Sequence, residues 1–312
     1  VLKHPSGDLI AQKSVFGWIV TGKVSNSIPQ PLNSVVSFYN HLDLNAQMAR
    51  FWEIEEIPKS YKLSDDDKFC ENLYRNTTYR NHEGRYVVTL PFKREFPENT
   101  QLGWSRNIAL SQFYRNETRL QKNPEVKNHY DQVIEEYSLM NHMSKVSSDK
   151  SSSPNLTYYL PHHAVFKPDS ATTKLRVVFN ASSPSSNGVS LNNILHTGPV
   201  LQSDLTVLVL RWRFFRYVFN ADIEKMYRQI LINPDQASFQ RILFRKNPNK
   251  EVEDFELNTF TFGVNCAPYL AIRTLRMLAE DCNSRYPAAS DSVLNKMYVD
   301  DVFAGSHTIE QD

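Results

Sequence analysis

The stretch "KMYVDDVFAGS", residues 296–306, sets two adjacent aspartates, Asp300 and Asp301, in an otherwise apolar run. Carboxylates in such a run are costly to bury unless something pairs them. Adjacent side chains of a continuous strand point to opposite faces, so the two aspartates share a site only where the chain turns. The run therefore reads as a hairpin, with "KMYV" and "VFAG" as its arms. A second acidic strand end lies upstream in "YVFNADI", residues 217–223. Alternation there places Phe219, Ala221 and Ile223 on one face and Val218, Asn220 and Asp222 on the other. Asp222 precedes Asp300 by 78 residues (300 − 222), and a hairpin tip beside it brings three carboxylates together.

Three clustered carboxylates repel one another and acquire raised pKa values unless cations neutralise them. An all-oxygen set suits Mg²⁺ or Mn²⁺, which takes its remaining ligands from water and phosphate. Two such ions support an in-line displacement. The same residues also have a purely structural reading. Asp222 is a good helix N-cap before "IEKMYRQI", and Asp300–Asp301 is a good turn. Spacing alone leaves both open.

At 312 residues, with 41% hydrophobic and 12% aromatic content, the chain has the length and composition of about two globular domains. A net charge of +1 gives no bulk electrostatic case for nucleic acid, so any basic surface is local. Cys70, Cys266 and Cys282 lack C-x-x-C spacing, which argues against a zinc knuckle or disulfide frame and suits a reducing compartment. No run reaches transmembrane length, and "VLKHPSGDLI" is not a signal peptide. The chain opens on Val1 and stops 11 residues after Asp301 (312 − 301), as a piece of something longer would.

Short alternating segments occupy residues 1–24, with "SVFGWIVTG" the clearest strand, followed by a linker, "SNSIPQPLNSV". Helical patterning covers 36–82, where Ser64 and Asp67 make a capping box. "GRYVVTLPF" reads as a strand, and residues 105–145 as two helices broken near Pro124. The second of them puts Tyr130, Val133, Tyr137 and Met140 on one face. "SSDKSSSPN" is a flexible break. Beyond it strands and helices mix: "YYLPHHAVFK" and "TTKLRVVFNAS", a helix in "SDLTVLVLRWRFFR" capped by Ser203, and the short helix "EKMYRQI". Then come two strands across Asn247-Pro248-Asn249 and the helix "APYLAIRTLRMLAEDC", with Pro268 at its start. This is an α+β ordering without repeats.

Together, "TTKLRVVFNAS", "FNADIEKMYRQI", "FTFGVNCAPYLA" and "MYVDDVF" resemble the fingers and palm motifs of retroelement reverse transcriptases. Their wording is most similar to BEL/Pao-type long-terminal-repeat retrotransposon polyproteins. The resemblance covers about residues 105–312 and implies a right-hand polymerase fold, an antiparallel palm sheet backed by helices, truncated before the thumb. Residues 25–104 resemble the linker and helical region before the polymerase, and 1–24 the last strands of a retropepsin-like aspartic protease. By position, Asp222, Asp300 and Asp301 match the catalytic aspartates, which with the Ile223 carbonyl hold two Mg²⁺ or Mn²⁺ ions. Asp300, paired with Asp222, is expected to bind both ions, and Asp301 to turn away along the second arm. Tyr227 matches the residue that excludes a ribose 2′-hydroxyl, and Phe262 and Gly263 match the turn beneath the incoming nucleotide. Lys167 and Arg176 match the cations that hold its triphosphate. The implied activity is RNA-directed DNA polymerisation from dNTPs on a primed RNA or DNA template. The implied setting is a cytoplasmic virus-like particle, with no membrane and with thumb, ribonuclease H and integrase elsewhere in the polyprotein.

Some residues depart from the pattern. Asn180 stands where the family has Asp, and the protease-like segment has no D-[ST]-G triplet, which argues against an active aspartic protease. A decayed or domesticated chain that binds nucleic acid or a partner without catalysis is the competing reading. His162 and His163 read as structural or solvent-facing. In "RWRFFR", Arg211, Arg213 and Arg216 form a basic edge, while Trp212, Phe214 and Phe215 face the core.

Overall fold

The computed structural model describes residues 63–147, 156–168 and 174–308, with the backbone of three strands at 2–3, 9–14 and 17–22. The expected linker at 25–35 and the helical pattern over 36–62 lie outside the described residues. The chain divides into two units, Val1–Tyr61 and Lys62–Asp312. In the first, β1 (Leu2–Lys3), β2 (Leu9–Ser14) and β3 (Gly17–Gly22) form an antiparallel sheet in that order. The strand expected across 14–22 is thus the second arm of a hairpin whose register runs from Leu9↔Gly22 to Ser14↔Gly17.

The second unit is α+β, as its mixed patterning implies, built from small sheets and helices around one core. It opens with α1 (Asp65–Thr77), whose capping box forms as the sequence specifies. The Asp67 backbone N–H donates to Ser64 Oγ at 3.1 Å, and the Ser64 N–H returns to Asp67 Oδ2 at 3.2 Å. Strands β4 (Tyr79–Arg80) and β5 (Tyr86–Val88) follow, the latter shorter than "GRYVVTLPF" suggests. Beyond β5 the chain leaves the ladder, and Phe92 bridges to Leu195 instead. Helices α2 (Arg106–Gln121) and α3 (Pro124–Leu139) break at Pro124 as expected, with Asn123 capping the second. The buried face of α3 is Tyr130, Asp131 and Ile134. Met140 does not share it: it caps the helix and is exposed, because the last turn overhangs the core.

Next come β6 (Met143–Lys145), β7 (His162–Phe166) and β8 (Leu175–Phe179). The last two pair antiparallel, His162 opposite Phe179. His162 is buried, its Nε2 2.7 Å from the Tyr130 hydroxyl, and burial pushes its pKa down to about 4, so it is a neutral core residue. His163 faces solvent. After the single-turn α4 (Leu191–Ile194), α5 (Leu205–Trp212) is capped by Asp204 rather than Ser203. The Asp204 carboxylate accepts from the N–H groups of Thr206 and Val207 at 2.7 and 3.4 Å, and the Thr206 bonds above all hold its pKa down. Aspartate caps as well as serine and adds a charge that suits the helix dipole. Phe214 is also not a core residue but 81% exposed. The helix ends at Trp212, so Phe214 sits in the following turn, off the helical periodicity that would have turned it inward.

Strand β9 (Tyr217–Asp222) leads into a 3₁₀ turn, Met226–Gln229, in place of the expected short helix. Phe219 and Ala221 are exposed, as are Val218, Asn220 and Asp222, so among the described residues neither face of β9 is covered. Then β10 (Leu231–Ile232) pairs parallel with β5, while β11 (Arg241–Phe244) and β12 (Glu253–Leu257) pair across the Asn247-Pro248-Asn249 turn. The long α6 (Ala267–Cys282) carries Pro268 in its first turn, and α7 (Pro287–Asn295) leads to β13 (Met297–Tyr298) and β14 (Asp301–Ser306). Ile134, Leu160, Leu191, Ile242, Leu243 and Phe260 are among the fully buried core residues.

Segment α1–β5 is knit into this unit by polar contacts with α6. Arg273 Nε lies 3.1 Å from Glu71 Oε2, Tyr269 donates to Glu71 Oε1 at 3.0 Å, and Tyr74 donates to Thr274 Oγ1 at 2.9 Å. Among the described residues no helix is long and apolar enough to cross a membrane.

Candidate active site

Strand β14 pairs with β9 over its whole length, and Asp301 lies directly opposite Asp222. Cβ atoms of directly opposed residues stand about 4.5–5.5 Å apart, so these two carboxylates leave one face of the sheet as neighbours. Asp300 is at the hairpin tip between β13 and β14, where its carbonyl accepts the Ile223 N–H at 2.9 Å. The chain turns at the aspartates, as their sharing a site requires. In the register Asp301 faces Asp222 across the sheet, while Asp300 is the neighbour whose charge acts more strongly on Asp222.

The tip is strained. Val299, the first of its two central residues, has φ +56°. A two-residue hairpin with positive φ at that position normally carries glycine, and a β-branched side chain there costs roughly 1–3 kcal/mol. Partial desolvation, then the charges of Asp300 and Asp301, raise the Asp222 pKa, while Arg176 pulls it the other way. Three acids and one guanidinium thus act within one field. Among the described residues, no three His, Cys, Asp or Glu side chains stand as a ready-made metal cage. The donor chemistry nonetheless fits a hard cation: all-oxygen, acidic and mutually repulsive. The Ile223 carbonyl accepts the Met226 N–H at 3.2 Å and keeps a second lone pair.

Arg176 is exposed on the outer face of the β7–β8 hairpin, opposite Val165. The Lys167 N–H donates to the Lys174 carbonyl at 2.8 Å, extending the ladder by one step. Lys167, Lys174 and Arg176 therefore share that face, and among the described residues none of the three has a carboxylate partner. Lys174 is the candidate that sequence reasoning missed. Its signal was present, since it stands two residues before Arg176 in one strand and so on the same face. Like charges placed opposite each other destabilise a hairpin, and an anion between them relieves it.

Tyr227 is buried, its ring 4.4 Å from that of Phe262, and burial followed by the charge of Asp300 raises its pKa. Phe262 itself is half exposed. Gly263 has φ +100°, and a Cβ there would lie 2.1 Å from the Phe179 carbonyl oxygen. Glycine is needed at this point because the turn presses on the end of β8. Asn180 closes a local turn, its Oδ1 accepting the Ser182 N–H at 3.0 Å. Arg211, Arg213 and Arg216 are exposed, and Trp212 is half-buried, its indole N–H donating to the Ala304 carbonyl at 2.9 Å.

No protein-family model and no curated protein sequence matches the chain. Among solved structures it is similar to a foamy viral protease-reverse transcriptase dRH in complex with double-stranded DNA, with a TM-score of 0.39 and 16% identity. The match covers 61% of this chain and 27% of that one, so the chain spans about a quarter of the structure it matches. A likeness that slight leaves the functional reading to the residues themselves.

Proposed function

We propose that residues 105–312, within the second unit, are the fingers and palm of an RNA-directed DNA polymerase from a BEL/Pao-type retrotransposon polyprotein. The observation that carries this is the register: Asp222 opposite Asp301, with Asp300 at the adjoining tip and Arg176 acting on the same field. A structural N-cap and an acidic turn give no reason for a β-branched residue at positive φ, nor for a cationic hairpin face, without carboxylate partners among the described residues, whose Arg176 acts on Asp222.

In this reading Arg176 and Lys167, with Lys174, hold the triphosphate of a dNTP; the planar guanidinium fork suits phosphate oxygens. Phe262 and Gly263 offer a surface to the nucleotide, and Tyr227, braced by Phe262, limits room at the sugar 2′ position. Asp222, Asp300, Asp301 and the Ile223 carbonyl would hold two Mg²⁺ or Mn²⁺ ions, which supply activation of a primer 3′-hydroxyl and neutralise the leaving pyrophosphate. The same carboxylates fix the direction from which the hydroxyl approaches the α-phosphate. One observation favours a non-catalytic binding module instead: the acids do not stand as a ready-made metal cage.

The test is binding of N-methylanthraniloyl-dATP with Mn²⁺ to the chain, loaded with a dideoxy-ended DNA primer on an RNA template. Arg176→Gln is expected to weaken binding by about 10- to 100-fold, the worth of a charge-assisted hydrogen bond. Equal binding by the variant, or no binding by the wild type, would count against the reading.

A further inference from the structure

The Phe262–Gly263 turn has no strand ladder to hold it, yet its fit against Phe179 leaves no slack. The half-buried Asn192, in α4, supplies the hold. Its Nδ2 donates to the Gly263 carbonyl at 3.0 Å and to Ser182 Oγ at 2.7 Å. Its Oδ1 accepts the Asn265 N–H at 2.9 Å. Its backbone joins in as well: the N–H donates to the Ala181 carbonyl at 3.1 Å, and its carbonyl accepts Asn265 Nδ2 at 3.1 Å. One side chain thus ties the residues just past β8, the strand that carries Arg176, to both sides of the turn that carries Phe262.

The amide orientation follows from chemistry. Oδ1 must meet the Asn265 N–H, which leaves Nδ2 facing the Gly263 carbonyl. Aspartate could accept from Asn265 but would set an acceptor against the Gly263 carbonyl. Serine is too short to reach both. The position calls for asparagine.

Resting on the polymerase reading, we infer that Asn192 is a positioning residue for nucleotide binding, holding the Phe262–Gly263 turn in register with the Arg176 strand. It touches no reacting atom; it sets where the turn lies. Ser182 is a useful contrast, because it is exposed and takes only one of the Asn192 bonds.

The experiment compares wild type, Asn192→Asp and Ser182→Ala in the 312-residue chain. Affinities for N-methylanthraniloyl-dATP with Mn²⁺ and for the dideoxy-ended RNA–DNA primer–template are measured separately, below the melting temperature. Asn192→Asp is expected to raise the nucleotide Kd by about tenfold or more while the primer–template Kd stays within about twofold. Ser182→Ala is expected to change both by less than about twofold. Unchanged nucleotide binding in Asn192→Asp, or an equal loss of both ligands, overturns the inference. If the wild type binds no nucleotide, the polymerase reading fails, and amide exchange at Asn265 in Asn192→Ala, which removes the acceptor of that N–H, decides the positional claim. Exchange about tenfold faster in Asn192→Ala upholds the hold on the turn, and equal exchange overturns it.

Discussion

Asp300→Asn is expected to abolish RNA-templated extension of a DNA primer, by about 10³-fold or more, in a polypeptide that carries this chain with the rest of its reading frame. The substitution keeps the size of the side chain and removes one charge at the hairpin tip. The Ile223 N–H bonds the backbone carbonyl of Asp300, so the turn itself is left intact. Removing one of three repelling acids should not lower the stability of the cation-free protein, because partial desolvation and then the charges of Asp300 and Asp301 raise the Asp222 pKa. Loss of activity with an unchanged melting temperature is therefore the expected pair of results. Extension at the wild-type rate would show that the tip aspartate is only a turn residue.

Glu71→Ala is expected to cost about 3–5 kcal/mol, the usual penalty for leaving one partner of a buried ion pair unpaired. Arg273 and Glu71 side chains are only 8% and 13% exposed. With Glu71 gone, Arg273 keeps the mostly exposed Glu280 at 3.6 Å, and the Tyr269 hydroxyl loses its acceptor. Each kcal/mol lowers the Tm of a domain this size by about 2–4 °C, so a drop of roughly 6–20 °C should appear in a thermal melt. A shift under about 2 °C would mean that α1 adds little to α6. The result bears on organisation, since it asks whether residues near 71 are part of the folding unit or an appendage to it.

Much of the second unit was legible because its elements announce themselves locally. Ser64 with Asp67, Pro124 between two helices and Asn247-Pro248-Asn249 between two strands act through their immediate neighbours, and each appears where it was read. One argument about parity gave the hairpin, but with its tip at Asp300–Asp301; the turn falls one residue earlier, at Val299–Asp300, and Asp301 opens β14. Less legible was whatever depends on where a helix stops or what covers a face. Phe214 falls outward because α5 ends two residues before it, and Met140 because α3 overhangs the core. Register was beyond reach from sequence, and register decides that Asp301 faces Asp222 and that Lys174 joins Lys167. The Phe179 carbonyl that requires glycine at 263 lies far off in sequence and leaves no local signal.

The account stands on three carboxylates forming one cation site, and a manganese titration followed by electron paramagnetic resonance tests that most directly. The 312-residue chain would carry a dideoxy-ended DNA primer on an RNA template with its matching dNTP. About two Mn²⁺ ions should bind per chain, and Asp222→Asn should reduce that to less than about one. No Mn²⁺ bound by the wild type, or the same binding by Asp222→Asn, would contradict the account.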